Sequence, residues 1–240
     1  MRCRCPDVLS DSPSDGDKYR CEEVVQNLWE MQRRKCCYCE QLIPSEGHSK
    51  AVEHFKPKNI FKYLKNDWKN LLLACPQCNG KKSDKFPVEL TEEPGKTKMI
   101  YLKTLSNAEP LIIDPSNPEI DPEDYIDFNV NIKHIEVCGI IKAKNNSPLG
   151  RETINVIGLD RAYYTRLRME RFFQLMGMFN NLARAVIQRD DCWIQHYKNE
   201  FEMMMSATSE FAALARAFAK YYRMDNHPFD LKILVGTETR

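Results

Sequence analysis

The sequence predicts an α+β fold: a small cysteine-rich core stapled by metal, a β-hairpin region and a C-terminal helical bundle. Three observations predict it. Two C-x-x-C pairs, Cys36 with Cys39 and Cys75 with Cys78, flank a segment with little helical periodicity. Across residues 94–148 the composition turns to prolines, acids and β-branched residues. From Leu149 onward apolar residues recur mostly at threes and fours. At 240 residues, 42% hydrophobic and 29% charged, the chain can bury one sizeable core or two smaller ones, which excludes disorder over most of its length.

Taken in order, residues 1–35 read as an N-terminal arm and a helix. The arm, about 1–18, is polar, carries Pro6, Pro13 and Gly16 and shows no period. The helix is marked by the stripe Val24, Val25, Leu28, Trp29 and Met31. Residues 36–90, rich in Cys, Lys and turn formers, suit a small domain organised by metal rather than by a large core. Residues 91–148 form an acidic linker and hairpin region. Strands are expected at 111–113, 125–132 and 135–143, with a hairpin through Lys133 and His134. Residues 149–240 are helical. Asp160 is placed to cap a helix carrying Tyr164, Leu167, Phe172, Leu175, Phe179, Leu182 and Val186. A second helix carries Trp193, Tyr197, Phe201 and Met204, and a third carries Phe211, Leu214, Phe218 and Tyr222, ending near Asn226 and Pro228.

The longest apolar runs, such as residues 71–75, are far short of the roughly 18 needed for a membrane-spanning helix. The start has no apolar core of a secretory signal, so a bacterial cytoplasmic location is expected. Ten cysteines in such a setting argue for metal rather than a disulfide framework. The formal net charge of +1 hides a segregation. Residues 50–85 hold nine Lys, no Arg and three acids, a net +6, whereas residues 86–131 hold three Lys and ten acids, a net −7. The basic block coincides with the cysteine motif, which points to a polyanionic ligand.

Thiolates three positions apart can converge on one tetrahedral ion at about 2.3 Å each, so two such pairs make a closed four-thiolate zinc site. The gap between the pairs is longer than in compact zinc modules, so something is inserted between the knuckles. The insert holds Glu53, His54, Lys56, Pro57 and Lys58, then Trp68, Asn70 and Leu71. Asn79, Gly80, Lys81 and Lys82 follow the second knuckle at once. A neutral imidazole can deprotonate water near pH 7, hard oxygens can hold a divalent cation, and the cation can neutralise a scissile phosphate and a departing alkoxide. These are the parts needed to cut a phosphodiester with one metal.

The order Cys-x-Tyr-Cys, Glu-His-x-x-Pro-Lys, Trp-x-Asn-Leu and Cys-x-x-Cys-Asn-x-x-Lys, over about residues 36–87, resembles the HNH endonucleases with a ββα-metal fold. The overall layout, with a Thr-Ile-x-Val-x-Gly-Leu-x-Arg stretch at 153–161 and a helical C-terminal region, is similar to the PtuB-type HNH proteins of Septu and retron-linked anti-phage defence systems. The resemblance implies a zinc-stapled ββα-metal core with four catalytic positions. His54 would be the general base on water and Asn70 the residue that ties the loop. Asn79 stands at the third motif position, which binds the catalytic metal with Glu53, and Lys82 is placed to hold a phosphate oxygen. The family usually has His where Asn79 stands. With oxygen from both Glu53 and Asn79, Mg²⁺ or Mn²⁺ is expected. The implied partners are a nucleic acid (DNA ahead of RNA), a PtuA-type ATPase and, where one accompanies it, a retron reverse transcriptase with its RNA–DNA hybrid.

Plainer readings stand beside these. His48, His134, His196 and His227 default to surface or satisfied core roles, Cys37 to a spare thiol, and Cys138 and Cys192 to small buried apolar residues. A second metal at Cys3, Cys5 and Cys21 is not expected. The lysines of residues 56–69 could form only a solvated face. Phe55, Phe61, Tyr63 and Trp68 are expected to build the small core, and residues 203–205 with Tyr221 and Tyr222 to finish the bundle or dock a partner. Two alternatives to a DNA nuclease remain: the same site acting on RNA such as tRNA, and a catalytically inactive zinc-finger adaptor that binds nucleic acid and does not need His54.

Overall fold

The computed structural model describes residues 16–47, 49–88 and 109–222. Cys3, Cys5, His48, His227, most of the N-terminal arm, residues 89–108 and the expected helix end near Asn226 and Pro228 lie outside them. The chain forms two compact units. One comprises the residues up to 126 with 143–159, and the other comprises 127–142 with those from 160 onward. Residues 149–159, grouped with the C-terminal helices on sequence pattern, thus fall in the first unit.

In the first unit, helix α1 (Glu22–Met31) has Glu22 and Glu23 in its first turn, where the helix dipole favours them. Its apolar stripe buries Val24, Leu28 and Trp29, and the Trp29 indole donates to the Ile43 carbonyl at 2.8 Å. Strand β1 (Ala51–His54) pairs antiparallel with β2 (Leu71–Ala74), with Ala51 opposite Ala74 and His54 opposite Leu71. All four β2 residues are buried, which explains the unbroken apolar run Leu71, Leu72, Leu73. Gln32, just past α1, braces this hairpin: its amide donates to the Leu73 carbonyl and accepts from the Leu73 N–H, both at 2.7 Å. Helix α2 (Pro76–Lys82) follows β2 directly, with Pro76 in its first turn, where a missing N–H costs nothing. The order β1, β2, α2 is the ββα unit. Phe55, Phe61 and Phe86 pack edge to face beneath it, while Tyr63 is exposed, contrary to the core role expected of it.

The expected strand at 111–113 is reduced to one bridge, Val88 opposite Pro110. Pro110 and Pro115 bracket the segment and cannot donate to a ladder, although Ile112 and Ile113 are buried. Helix α3 (Pro148–Ile157) is capped by Ser147, whose hydroxyl accepts from the Gly150 N–H, and ends at Gly158 in the left-handed conformation (φ 67°). Within the 153–161 stretch, the Thr153 hydroxyl accepts from the Ile113 N–H at 2.8 Å and donates to the Leu149 carbonyl at 2.7 Å.

The hairpin strands are shorter than expected: β3 (Ile126–Phe128) and β4 (Ile141–Ala143) form a two-stranded sheet. Between them lies a 3-10 turn over Ile132–Val137. The side chains of Asn129 and Asn131 accept the N–H groups of Asn131 and Lys133, offering the backbone a turn in place of a ladder.

The second unit is built on α4 (Ala162–Gln188), α5 (Asp191–Met205) and α6 (Ala212–Tyr221). Arg161 rather than Asp160 precedes α4, without a side-chain cap, whereas Asp190 caps α5 by accepting from the Trp193 N–H. Phe172, Leu175, Leu182, Phe201, Leu214 and Phe218 form its core, which Val130 and Cys138 join from the turn region. Cys192, expected to be buried, is exposed, as are Met203 and Tyr221. Among the described residues no helix is long and apolar enough to cross a membrane.

Candidate active site

The two knuckles meet in the first unit. Cys36 and Cys39 sit on a turn closed by the Lys35–Leu42 bridge, and the Cys36 N–H donates to the Gln41 carbonyl. Cys75 precedes α2, and Cys78 lies one turn into it. All four cysteines are buried, with their sulfurs within 4.8 Å of one another and Cys39 Sγ 3.9 Å from Cys75 Sγ. Zn–S bonds of about 2.3 Å in a tetrahedron put sulfurs about 3.8 Å apart, so this donor set fits zinc. Burial alone would raise the Cys36 thiol, but hydrogen bonds from Cys37, Cys39, Cys75 and Cys78 pull it well below the usual thiol range. Burial and Cys36 push the Cys37 thiol well up, in keeping with a spare residue.

His54 closes β1 and is buried. Its Nε2 lies 2.8 Å from the Lys65 carbonyl oxygen, which can only accept. Nε2 therefore carries the hydrogen and Nδ1 keeps its lone pair. Burial, helped by Lys58 and Lys82 and opposed by the bond to Lys65, lowers its pKa to about 4, so the ring is neutral at pH 7. Since an unfolded His titrates near 6.5, the unfolded chain binds more protons between about pH 4 and 6.5. Stability is therefore expected to be full above this window and to fall as pH drops through it. Urea midpoints measured across that range should lose this component in His54→Leu.

Asn70 ties the loop of residues 55–70. Its Oδ1 accepts from the Lys56 N–H at 2.8 Å, and its Nδ2 donates to the carbonyls of Lys56 and Leu64. The Phe55 N–H donates to the Asn70 carbonyl, so the loop ends are also joined through backbone. Asn79 Nδ2 donates to the Val52 carbonyl at 3.2 Å, turning the amide toward the β1 segment that carries Glu53. Glu53 is buried; its Oε1 accepts from Tyr38 Oη at 3.3 Å and is 2.6 Å from Lys82 Nζ. Burial raises the Glu53 pKa, while Lys82 and Tyr38 oppose the rise. Both contacts fall on Oε1, so Oε2 is the oxygen Glu53 would present to a cation. A carboxylate oxygen and an amide oxygen such as that of Asn79 are hard donors, of the kind that would suit Mg²⁺ or Mn²⁺.

Lys82, matched by resemblance to a phosphate ligand, is placed differently: it is 0% exposed, and its ammonium also donates to the His54 carbonyl at 2.9 Å. It faces inward, joining α2 to the end of β1. Lys81 and Lys85 on the same segment are exposed. Removing one partner of a buried pair leaves the other charge uncompensated, at about 3–5 kcal/mol. Urea unfolding of zinc-loaded Lys82→Met is expected to show a loss of that size, with most of it recovered in the Glu53→Leu/Lys82→Met double variant.

Two site residues were given no role from the sequence, although Tyr38 stands in the Cys-x-Tyr-Cys motif. Tyr38 owes its role to the fold of the first knuckle, and Tyr19 sits at the edge of what reads as a loose arm. The other histidines described have no such setting: His134 faces solvent beside Glu136, and His196 is exposed next to Trp193.

A ββα unit beside a four-cysteine cluster, with an imidazole at the end of its first strand, is the arrangement that the HNH resemblance implies, and the HNH endonuclease family model matches residues 36–85. The chain carries an HNH domain. Over more of its length it is similar to Septu protein PtuB of Bacillus mycoides (strain KBAB4): 31% identity over 172 residues, covering 66% of this chain and 54% of the relative. Septu protein PtuB of Bacillus thuringiensis is 33% identical over 144 residues, 58% of this chain and 43% of the relative. Septu protein PtuA of Bacillus mycoides is 26% identical over 165 residues, covering 62% of this chain and 20% of that protein. The chain thus spans about half the length of the PtuB relatives it matches. The domain and these likenesses together support an HNH protein of PtuB type.

Proposed function

We propose that this protein is a metal-dependent HNH endonuclease that hydrolyses phosphodiester bonds, with DNA as the favoured substrate. It would act as the toxic effector of a bacterial anti-phage system with a PtuA-type ATPase and, where present, a retron. The observation that carries the reading is the His54 tautomer: Nε2 is spent on the Lys65 carbonyl, so Nδ1 is the proton acceptor. A water on Nδ1 gives up its proton there and attacks phosphorus in line with the leaving 3′ oxygen. The P–O3′ bond breaks with its electron pair on that oxygen, which takes a proton from solvent, giving 5′-phosphate and 3′-hydroxyl ends, and His54 returns its proton to solvent. A Mg²⁺ or Mn²⁺ held by Glu53 and Asn79 would supply the charge that stabilises the scissile phosphate and the leaving oxygen.

Lys82 keeps Glu53 and the end of β1 in place. Contact with the backbone phosphates falls to the half-buried or exposed Lys56, Lys58, Lys62, Lys65 and Lys69, on the loop that leaves His54. These contacts carry no sequence information and make binding fall steeply with salt.

The test is cleavage of plasmid DNA and of total cellular RNA by the zinc-loaded protein, with Mg²⁺ or with a chelator too weak to strip zinc. Each is run with and without the PtuA-type partner. Metal-dependent cutting of DNA supports the reading as stated, and cutting of RNA alone moves the substrate to RNA. Binding without cutting under every condition overturns it in favour of the adaptor.

A further inference from the structure

Residues 16–20 fold back over the end of β1 and the loop that holds it, all within the first unit. Tyr19, in a 3-10 turn over Lys18–Arg20, is 3% exposed. Its ring meets His54 edge to face, with centroids 4.7 Å apart and planes at 81°. Its hydroxyl accepts from Lys58 Nζ at 2.6 Å, and the same ammonium lies 4.5 Å from its ring centroid. The segment also grips the loop itself. The Tyr19 N–H donates to Asn66 Oδ1 at 3.2 Å, Asn66 Nδ2 donates to the Gly16 carbonyl at 3.3 Å, and Asp17 pairs with Lys65 Nζ at 2.7 Å. Lys65 is the residue whose carbonyl holds His54 Nε2.

A single hydrogen bond fixes one atom of an imidazole but leaves its plane free to swing about that atom. A perpendicular aromatic ring in contact restricts the swing, because rotation of the imidazole would carry the pair out of its edge-to-face geometry toward the disfavoured face-to-face sandwich. The hydroxyl of the same residue fixes where a flexible lysine ends, which a long four-carbon stem does not do by itself. Resting on the nuclease reading above, we infer that Tyr19 is a positioning residue: its ring sets the plane of the His54 imidazole and its hydroxyl places the Lys58 ammonium for a backbone phosphate. The N-terminal segment before α1 is then part of the active site although it lies outside the motif.

The experiment compares zinc-loaded wild type, Tyr19→Leu and Tyr19→Phe in steady-state cleavage, and by ¹⁵N NMR of the His54 imidazole without substrate. Tyr19→Leu is expected to lower kcat about tenfold to a hundredfold, the scale of a misplaced catalytic group. Its ¹⁵N signals should move from the Nε2–H tautomer toward an average of both. Tyr19→Phe should keep the tautomer signals and act mainly on KM, raising it several-fold and flattening its salt dependence. Wild-type kcat and an unchanged imidazole spectrum in Tyr19→Leu would overturn the inference. Should Tyr19→Leu fail to hold zinc, the cycle of Tyr19→Phe with Lys58→Met decides: effects on KM that do not add support the coupling, and additive effects overturn it. Failure of the nuclease reading looks different, because His54→Ala would then cleave as well as wild type whatever Tyr19 does.

Discussion

Replacing His54 with alanine is expected to lower metal-dependent cleavage by about 10²–10⁴-fold, the contribution of a positioned general base. Zinc content and nucleic-acid affinity should stay close to those of wild type. The separation follows from the geometry. His54 contributes no atom to the four-sulfur cluster, and its imidazole makes one hydrogen bond, to the Lys65 carbonyl. The loop that carries the lysines of residues 56–69 would lose that one bond and keep the three Asn70 side-chain bonds to Lys56 and Leu64 and the backbone bond from Phe55 to Asn70. Gel-shift titration with single-turnover cleavage on the same preparation checks both halves. A variant that binds and still cuts at the wild-type rate would show that the imidazole is an ordinary core histidine.

Cys78→Ser is expected to unfold the first unit. A structural zinc site contributes about 10–16 kcal/mol, comparable with the whole net stability of about 5–15 kcal/mol of a typical domain, so loss of a thiolate ligand is not absorbed elsewhere. Cys78 is in α2 and completely buried, which puts the damage where β1, β2 and α2 meet. The second unit has its own apolar core around Phe172, Leu175, Phe201 and Phe218, and the four-cysteine cluster lies in the first unit. The helical circular-dichroism signal of α4 to α6 should therefore persist while zinc is lost and cleavage disappears. Metal analysis with thermal melts followed at 222 nm reads this; one cooperative transition that vanishes entirely would show that the two units fold as one.

Much of the site was legible from local spacing. The C-x-x-C pairs, the Glu53-His54 doublet and the Asn70 and Asn79 positions lie in short motifs, because metal ligation and loop closure constrain residues a few positions apart. The helices were legible because an amphipathic stripe has to repeat along one face. The strands at 111–113, 125–132 and 135–143 were overread. β-branched residues mark burial as much as pairing, and prolines and asparagine side chains took the backbone into bridges and turns instead.

By itself, then, the sequence determined the four-cysteine cluster, the HNH motif and the helical C-terminal part, all of which rest on residue type and periodicity. Only the tertiary structure decided which way Lys82 points, that Tyr38 reaches Glu53, that the Lys65 carbonyl selects the His54 tautomer, and that Tyr19 covers that ring. These contacts join residues 11 to 35 positions apart. Such pairings are set when β1, β2 and α2 close on the four cysteines, and burial then settles where each charge and proton resides.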